Sequence, residues 1–173
     1  MAGLEEAVMG ERDIIVSRML SEFPYLSSPI QVVDAALDLA ELHSKDVLTD
    51  LGCGDGSVLL RAAERYGVFS VGFELDCRLI SIARKRVREA GLNHMVNLIQ
   101  ADLFRVDLSR FKVIYVYPFP SIVKGLTVKL LDECPRGTRI LVHDHPLEGL
   151  KPLKSESIPS GKQHVHTVYL YVL

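Results

Sequence analysis

Three glycines and two acids are concentrated in one short segment that joins an apolar stretch to an amphipathic one. The segment reads Asp50-Leu51-Gly52-Cys53-Gly54-Asp55-Gly56. Glycines at the turn from a strand into a helix let the backbone approach a ligand closely, and they leave free N–H groups at the helix N-terminus. The alternative, a dinucleotide fingerprint GxGxxG, needs a third glycine at position 57, which is Ser57. The segment therefore indicates a ligand-binding loop of a different type.

Hydrophobic periodicity predicts the elements that position this loop. The predicted strands cover 46–51, 69–74, 96–100, 112–117 and 138–143, and the predicted helices cover 57–66, 78–90 and 121–131. Ser28 and Pro29 predict the capped start of an earlier helix. The alternating stretch 164–173 predicts a closing hairpin of about two strands. Strands that alternate with helices predict an α/β fold with a doubly wound, parallel sheet.

The composition predicts one soluble globular domain. The chain has 173 residues with 20 Lys+Arg against 22 Asp+Glu, so its formal charge of −2 lacks the strongly basic balance of many nucleic-acid-binding proteins. Its three cysteines form no CxxC pair, so the sequence predicts neither a zinc site nor a disulfide framework. This cysteine usage fits a protein of the reducing cytoplasm. No apolar run reaches the length of a membrane span. We expect a single domain over 25–173 and an extension over 1–24 that is either an amphipathic helix or disordered.

The glycine loop and the two acids that follow it resemble motif I and its neighbours in the class I, Rossmann-like methyltransferases, which use S-adenosylmethionine. The resemblance implies that Glu74, 18 residues after Gly56, grips both ribose hydroxyls, and that Leu75 lies against the adenine. It also implies that Asp102 accepts from the adenine amino group beside the backbone N–H of Leu103. The implied cofactor-binding residues are Asp50, Gly52, Gly54, Gly56, Glu74, Leu75, Asp102 and Leu103.

The flanks of the chain resemble a narrower group, the small archaeal protein-lysine methyltransferases, which are related to eukaryotic mitochondrial lysine methyltransferases. The matching segments are Tyr25-Leu26-Ser27-Ser28-Pro29, Pro135-Arg136-Gly137-Thr138-Arg139 and the terminal His166-Thr167-Val168-Tyr169-Leu170-Tyr171-Val172. The resemblance implies a seven-stranded sheet whose last strand is antiparallel. It implies methyl transfer to lysine side chains of proteins, and it adds Tyr25 and Ser28 as contacts to the amino acid end of the cofactor.

The segment after the fourth predicted strand departs from those relatives. It reads Tyr115-Val116-Tyr117-Pro118-Phe119-Pro120 and partly resembles the Asp/Asn-Pro-Pro-Tyr motif of methyltransferases that act on amino groups of bases. Tyr117 stands at the Asp/Asn position, so the acceptor for a base amine is missing. Aromatic faces orient amines, and we therefore expect Tyr117 and Phe119, with Tyr115 as a weaker member, to form the catalytic wall that faces the methyl group.

Other clusters give weaker expectations. His143-Asp144-His145 and His164-Val165-His166 have the spacing of metal ligands on a strand, but methyl transfer needs no metal and the sequence predicts none. The basic residues 84–88 predict a solvated helix face. We expect a cytoplasmic monomer that acts on protein substrates and binds no membrane. Methylation of RNA or a small molecule is the alternative, and a non-catalytic cofactor-binding or assembly subunit is the alternative of another class.

Overall fold

The computed structural model describes residues 25–161 and 164–173, so the predictions for residues 1–24 lie outside the described residues. Within these described ranges, four α-helices and seven strands follow one another in the order α1 (Ile30–Leu39), β1 (Val47–Leu51), α2 (Ser57–Tyr66), β2 (Phe69–Glu74), α3 (Cys77–Glu89), β3 (Val96–Gln100), β4 (Val113–Val116), α4 (Val123–Glu133), β5 (Arg139–His143), β6 (Lys154–Ser160) and β7 (His164–Val172). The predicted helices and strands of the middle of the chain are confirmed, with ends that differ by a few residues.

The seven strands form one sheet in the order β3-β2-β1-β4-β5-β7-β6. Strands β1 to β5 pair in parallel, whereas β7 lies antiparallel to both β5 and β6. The order reverses between β1 and β4, and ligands of open α/β sheets bind beyond the carboxyl ends of the strands at such a point. The seven-stranded α/β fold with an antiparallel last strand is therefore confirmed, and its topology locates the site.

Helices cover both faces of the sheet. Helix α1 packs its buried Val33 and Leu37 against β1, β5 and β7, and α2 and α3 cover the neighbouring part of the same face. Helix α4 lies on the opposite face, where Leu126 and Leu130 join the inner side chains of β1, β4 and β5. Burial of apolar surface on both sides fixes the sheet, so the strand ends that carry the site are held rigidly.

The start of α1 differs from its prediction. Ser28 makes no side-chain cap, because its Oγ lies 3.0 Å from Oη of Tyr115 and 3.1 Å from Nδ1 of His143. Pro29 takes the cap position instead, and its carbonyl accepts from the N–H groups of Val32 and Val33. The Ser-Pro pair predicted the start of the helix correctly, but the serine hydroxyl contacts the buried Tyr115 and His143 instead of capping the helix.

Two other helix ends follow signals in the local sequence. Asp76 caps α3 by accepting from the N–H of Arg78 at 2.8 Å. Gly67 ends α2 in the left-handed region, with φ 62°. Both signals depend only on local backbone geometry, which is why the sequence reveals them.

Candidate active site

The glycine loop is fastened to the end of the neighbouring strand. The N–H groups of Gly52 and Cys53 both donate to the carbonyl of Phe73, at 2.8 and 3.0 Å. Gly54 donates its N–H to Oε2 of Glu74 at 2.9 Å, and the N–H of Asp76 donates to Oε1 of Glu74 at 2.8 Å. The buried carboxylate of Glu74 is thus held in place by two backbone donors, and its remaining lone pairs are available to hydroxyl groups.

Gly54 is the position in the loop where a side chain has no room. A Cβ there would lie 2.2 Å from Cε2 of Tyr25, and the φ of Gly54 is +53°. The Tyr25 ring therefore lies directly over this glycine. Gly56 is packed from behind, where a Cβ would lie 3.2 Å from Cβ of Ala83. Gly52 faces open space and lines the cavity described below.

Arg86 anchors the same loop from α3. Its guanidinium pairs with the carboxylate of Asp55 and also donates to Oγ of Ser57 at 2.9 Å. The helical pattern predicted that Arg86 lies on a solvated face, and for this residue the prediction was wrong because its guanidinium is paired with Asp55. The signal was absent from the local pattern because Asp55 lies 31 positions away along the chain.

A cavity of about 540 Å³ opens beyond the carboxyl ends of β1, β2, β3 and β4. Its volume suits a drug-sized or nucleoside-sized ligand. It brings together eight of the residues singled out from the sequence: Tyr25, Gly52, Glu74, Leu75, Asp102, Leu103, Tyr117 and Phe119. Residues from four strand ends and from the segment before α1 therefore meet at one place.

Asp102 and Leu103 form one wall of this cavity. The carboxylate of Asp102 accepts from the N–H of Phe104 at 2.9 Å, and this bond starts a short 3-10 turn over Leu103–Arg105. Leu75 lines the cavity beside Glu74. Apolar side chains beside a fixed carboxylate suit a flat ring with an exocyclic amino group.

Asp50 lies behind the glycine loop and borders a smaller cavity with Tyr25, Ser28 and Tyr115. Its side chain is 2 % exposed. Burial raises the pKa of Asp50 well above its usual range, and the neighbouring charges of Glu74 and Asp55 raise it further. A buried carboxylate of this kind is stabilised when it takes up a proton or when it pairs with a cation. The three acids therefore make this end of the site suitable for a positively charged ligand.

The aromatic residues after β4 occupy different positions. Tyr117 and Phe119 line the large cavity, whereas Tyr115 is 2 % exposed, packs in the core and reaches only the smaller cavity. Burial raises the pKa of the Tyr115 hydroxyl, which lies 3.2 Å from Nδ1 of His143. The structure thus does not bring Tyr115 to the aromatic wall with the other two.

A polar network lies directly behind Tyr117, and the sequence reasoning did not find it. Oη of Tyr117 donates to Oδ2 of Asp144 at 3.0 Å, and the same Oδ2 lies 2.8 Å from Nδ1 of His166. Nε2 of His143 lies 2.9 Å from Nδ1 of His166, and the His143 ring stacks on the Tyr117 ring at 3.8 Å between centroids. Three strand ends far apart in sequence, those of β4, β5 and β7, supply these groups.

The donor atoms of His143, Asp144 and His166 all lie within 4.8 Å of one another, a spacing that a metal ion would also accept. The hydrogen bonds among these atoms account for the arrangement without one. The expectation that the protein uses no metal therefore stays a prediction.

Comparison with known proteins identifies the family. The model of the ANTKMT methyltransferase domain matches residues 50–154. A protein-lysine N-methyltransferase of Saccharolobus islandicus is 31% identical over 151 residues, which cover 87% of this chain and 93% of that protein. The chain belongs to the ANTKMT methyltransferase domain family. The mouse adenine nucleotide translocase lysine N-methyltransferase is 31% identical over 133 residues, and the match spans 76% of this chain but 57% of the mouse protein.

Solved structures agree on the scaffold and the cofactor. An RNA methyltransferase from Salinibacter ruber, crystallised with S-adenosyl-L-homocysteine, superposes with a TM-score of 0.78 at 35% identity and covers 85% of this chain and 93% of its own. Together with the family match, this confirms an S-adenosylmethionine-dependent methyltransferase on a Rossmann-like scaffold. The site fits such a cofactor, which carries ribose hydroxyls and a positive charge. The Glu74 carboxylate is held in place to accept from hydroxyl groups, Tyr25 covers the loop glycine, and the acids around Asp50 favour the positive charge.

Proposed function

We propose that this methyltransferase transfers methyl groups to lysine side chains of proteins. The observation that carries the proposal is the wall of the cavity beyond β4, where Tyr117 and Phe119 stand in an apolar surround with Val116 and Ile122. Such a wall suits an aliphatic amine, since aromatic faces and desolvation act on it together. Relatives named for lysine methylation, from Saccharolobus islandicus and mouse, support the same acceptor.

We propose the following roles for the cofactor side. Glu74 accepts from both ribose hydroxyls, and the glycine loop with Gly52, Gly54 and Gly56 lets the backbone approach the ligand. Leu75, Asp102 and Leu103 hold the adenine. Asp50, Tyr25 and Ser28 hold the amino acid end, where a cationic group of the ligand would favour the ionised form of the buried Asp50.

When bound, S-adenosylmethionine supplies a methyl group made electrophilic by its sulfonium. Methyl transfer forms a nitrogen–carbon bond from the lone pair of the acceptor nitrogen and breaks the carbon–sulfur bond, whose electron pair stays on sulfur, so the positive charge moves from sulfur to nitrogen. The leaving group needs no acid. The protein's own contribution is to orient the two reactants and to exclude water.

Lysine reacts only in its neutral form, and its ordinary pKa of about 10.4 makes that form scarce near pH 7. Burial disfavours an ammonium group, so entry into a partly apolar opening lowers the amine's pKa. We assign this task to the wall formed by Tyr117 and Phe119. Tyr115, which lies in the core behind them, supports the wall through its contact with His143.

We further propose a monomer that works in the cytoplasm, with one domain over 25–173 that follows an extension over 1–24. The seven-stranded sheet and its helices draw on segments from Ile30 to Val172, which supports one domain. Among the described residues, no helix combines the length and the apolar character needed to cross a bilayer.

RNA is the second candidate acceptor, and the Salinibacter ruber RNA methyltransferase favours it. Two features of this chain weigh against RNA. Tyr117 stands where a base-amine methyltransferase has Asp or Asn, and its hydroxyl already donates to Asp144. The formal charge is −2, without the basic excess that supports nucleic-acid binding.

The test is incubation of the purified protein with methyl-labelled S-adenosylmethionine and a cell lysate. One half of the reaction receives nuclease and the other half receives protease, and labelled protein is hydrolysed with acid. We expect label in nuclease-resistant protein that hydrolyses to methyl-lysine. Label that disappears with nuclease contradicts the lysine proposal and supports RNA. The control is the Glu74→Ala variant, which we expect to transfer no label to either fraction.

A further inference from the structure

Tyr117 makes its one hydroxyl donation away from the cavity. Its Oη–H points to Oδ2 of Asp144 at 3.0 Å, while the tyrosine itself lines the cavity. A phenol has one proton to donate and retains lone pairs that accept. Because Asp144 takes the proton, the Tyr117 oxygen is left as an acceptor for a donor in the cavity.

Asp144 is held as an anion by the strand beside it. It lies in the left-handed region with φ 59°, and its Oδ1 accepts from the N–H of Thr167 at 2.8 Å. Its Oδ2 accepts from Nδ1 of His166 at 2.8 Å. Burial raises the pKa of Asp144, but these hydrogen bonds outweigh burial and hold the pKa below its usual range. A non-glycine residue in this conformation is uncommon and is often found at functional sites.

The two histidines of the network have assignable proton positions. A carboxylate only accepts, so Nδ1 of His166 carries the proton that faces Asp144. Burial lowers the pKa of His143 to about 4, so its ring is neutral near pH 7. Its Nε2 lies 2.9 Å from Nδ1 of His166 and shares with Asp144 the single proton that this Nδ1 carries. His143 then donates from Nδ1 toward the hydroxyls of Ser28 and Tyr115.

We propose that Asp144 is a positioning residue for methyl transfer, which polarises Tyr117 so that the tyrosine oxygen accepts a hydrogen bond from the target amine. This inference rests on the proposed function. The acceptor nitrogen gains positive charge as its new bond forms, so a hydrogen bond that it donates strengthens at that moment. A negative charge one hydrogen bond behind the acceptor oxygen increases this gain, because catalysis depends on contacts that are stronger in the transition state.

Several other titratable groups face Tyr117, and the variants that test the inference leave these groups unchanged. His143 stacks on its ring, and the ring centroid of His145 lies 6.3 Å away. Tyr117 is also close enough to Tyr115 to raise the pKa of the Tyr115 hydroxyl. Burial, the hydrogen bond to Asp144 and the charge of that carboxylate together raise the pKa of Tyr117 to about 12. The Tyr117 hydroxyl thus stays protonated near neutral pH.

The decisive variant is Asp144→Asn, which keeps an oxygen for Tyr117 but removes the charge. We expect kcat to fall about 30-fold, while KM for the acceptor and the affinity for S-adenosylhomocysteine stay within about threefold. Tyr117→Phe removes the hydroxyl without changing the other bonds of Asp144, and we expect the same loss. The double variant should lose no more than either single variant, because both act through one hydrogen bond. Asp132→Asn, an exposed change on α4, is the matched control.

A second readout needs no methyl acceptor. Carbon-13 labelled tyrosine lets NMR follow the titration of the Tyr117 hydroxyl, and we expect Asp144→Asn to lower its pKa from about 12 toward 10. An unchanged Tyr117 titration overturns the inference. Full kcat in Asp144→Asn or in Tyr117→Phe overturns it as well, and so do losses that multiply in the double variant.

The same variants separate this inference from the function on which it rests. If the wild-type protein labels RNA and not protein, the lysine proposal fails, and the variants are then compared on the RNA that it labels. If the wild type labels lysine and Asp144→Asn labels it equally well, the function stands and the positioning role fails.

Discussion

The two halves of the cavity are built differently. The half that we propose for the cofactor comes mostly from one part of the chain, from Asp50 to Leu103, with Tyr25 and Ser28 added from the segment before α1, and its main contacts join β1 to the adjacent β2. The half that we propose for the acceptor joins Tyr117 after β4 to Asp144 after β5 and His166 on β7. Because the two halves depend on different contacts, a common scaffold can keep its cofactor half while changes in the acceptor half alter which acceptor is methylated. The following predictions test whether the halves are separable.

Removing the Glu74 carboxylate should have the largest effect. Glu74→Ala loses two charge-assisted hydrogen bonds to the ribose and frees the N–H groups of Gly54 and Asp76, so we expect an affinity loss of about 1,000-fold, or about 4 kcal/mol. Calorimetric titration with S-adenosylhomocysteine measures it. Glu89→Ala, an exposed change on the same side of the sheet, should bind normally. Equal affinity in both variants would show that the carboxylate has no part in the cofactor half.

Tyr117→Ala should affect the other half alone. We expect turnover to fall about 100-fold, or about 2.7 kcal/mol in the barrier, because the target amine loses both an aromatic face and an acceptor oxygen. S-adenosylhomocysteine should bind with nearly unchanged affinity. Phe69→Ala, at the half-exposed start of β2, serves as the control for loss of an aromatic ring. A large loss of cofactor affinity in Tyr117→Ala would mean that the halves are not separable.

The buried His143 should make stability depend on pH. Its pKa is about 4 in the folded protein and about 6.5 when unfolded, so between these values the unfolded chain binds the extra proton. The contribution of the neutral His143 to the free energy of unfolding is therefore fully present above pH 6.5 and is lost as the pH falls toward 4. Between pH 7 and pH 4.5 we expect the wild type to lose about 2 kcal/mol more than His143→Asn, measured by urea unfolding.

Comparing the two proteins cancels the contribution of Asp50, whose raised pKa acts in the opposite direction. Parallel pH profiles for the wild type and His143→Asn would show that His143 is not buried in its neutral form.

Gly54→Ala should give the smallest effect of the series. Its Cβ would meet the Tyr25 ring, which we expect to move aside and to reduce the affinity for S-adenosylhomocysteine about tenfold. Gly91→Ala is the matched control, since Gly91 has a similar φ of +70° but open space around it. That variant should lose about 1 kcal/mol of stability and keep its affinity. If both variants bind alike, the close approach of Tyr25 does not matter for binding.

Most residues predicted to bind the cofactor lie together around the cavity, because the sequence signals that mark them are local. The glycine loop and the acid that ends β2 depend on neighbours within a few residues or on adjacent strands. The parallel sheet followed from the alternation of strands and helices, and the antiparallel last strand followed from a family resemblance.

The acceptor half was largely hidden for the opposite reason. Asp144 and Tyr117 are 27 positions apart, and His166 is a further 22 positions beyond Asp144. Their contact depends on the order β4-β5-β7 and on the left-handed backbone at Asp144, neither of which a local pattern reveals. The closely spaced histidines were visible as a cluster, but their link to Tyr117 was not. Ser28 was misread as a cap for the same reason, since its partners lie 87 and 115 positions away.

The separation of the two halves is tested most directly by measuring binding and turnover together in Glu74→Ala and Asp144→Asn. Calorimetry with S-adenosylhomocysteine gives the first quantity, and methyl label transferred to lysate protein gives the second. We predict that Glu74→Ala loses binding, and that Asp144→Asn binds like the wild type but transfers label about 30-fold more slowly. If Asp144→Asn loses affinity in step with turnover, the network behind Tyr117 belongs to the cofactor half and the account is contradicted.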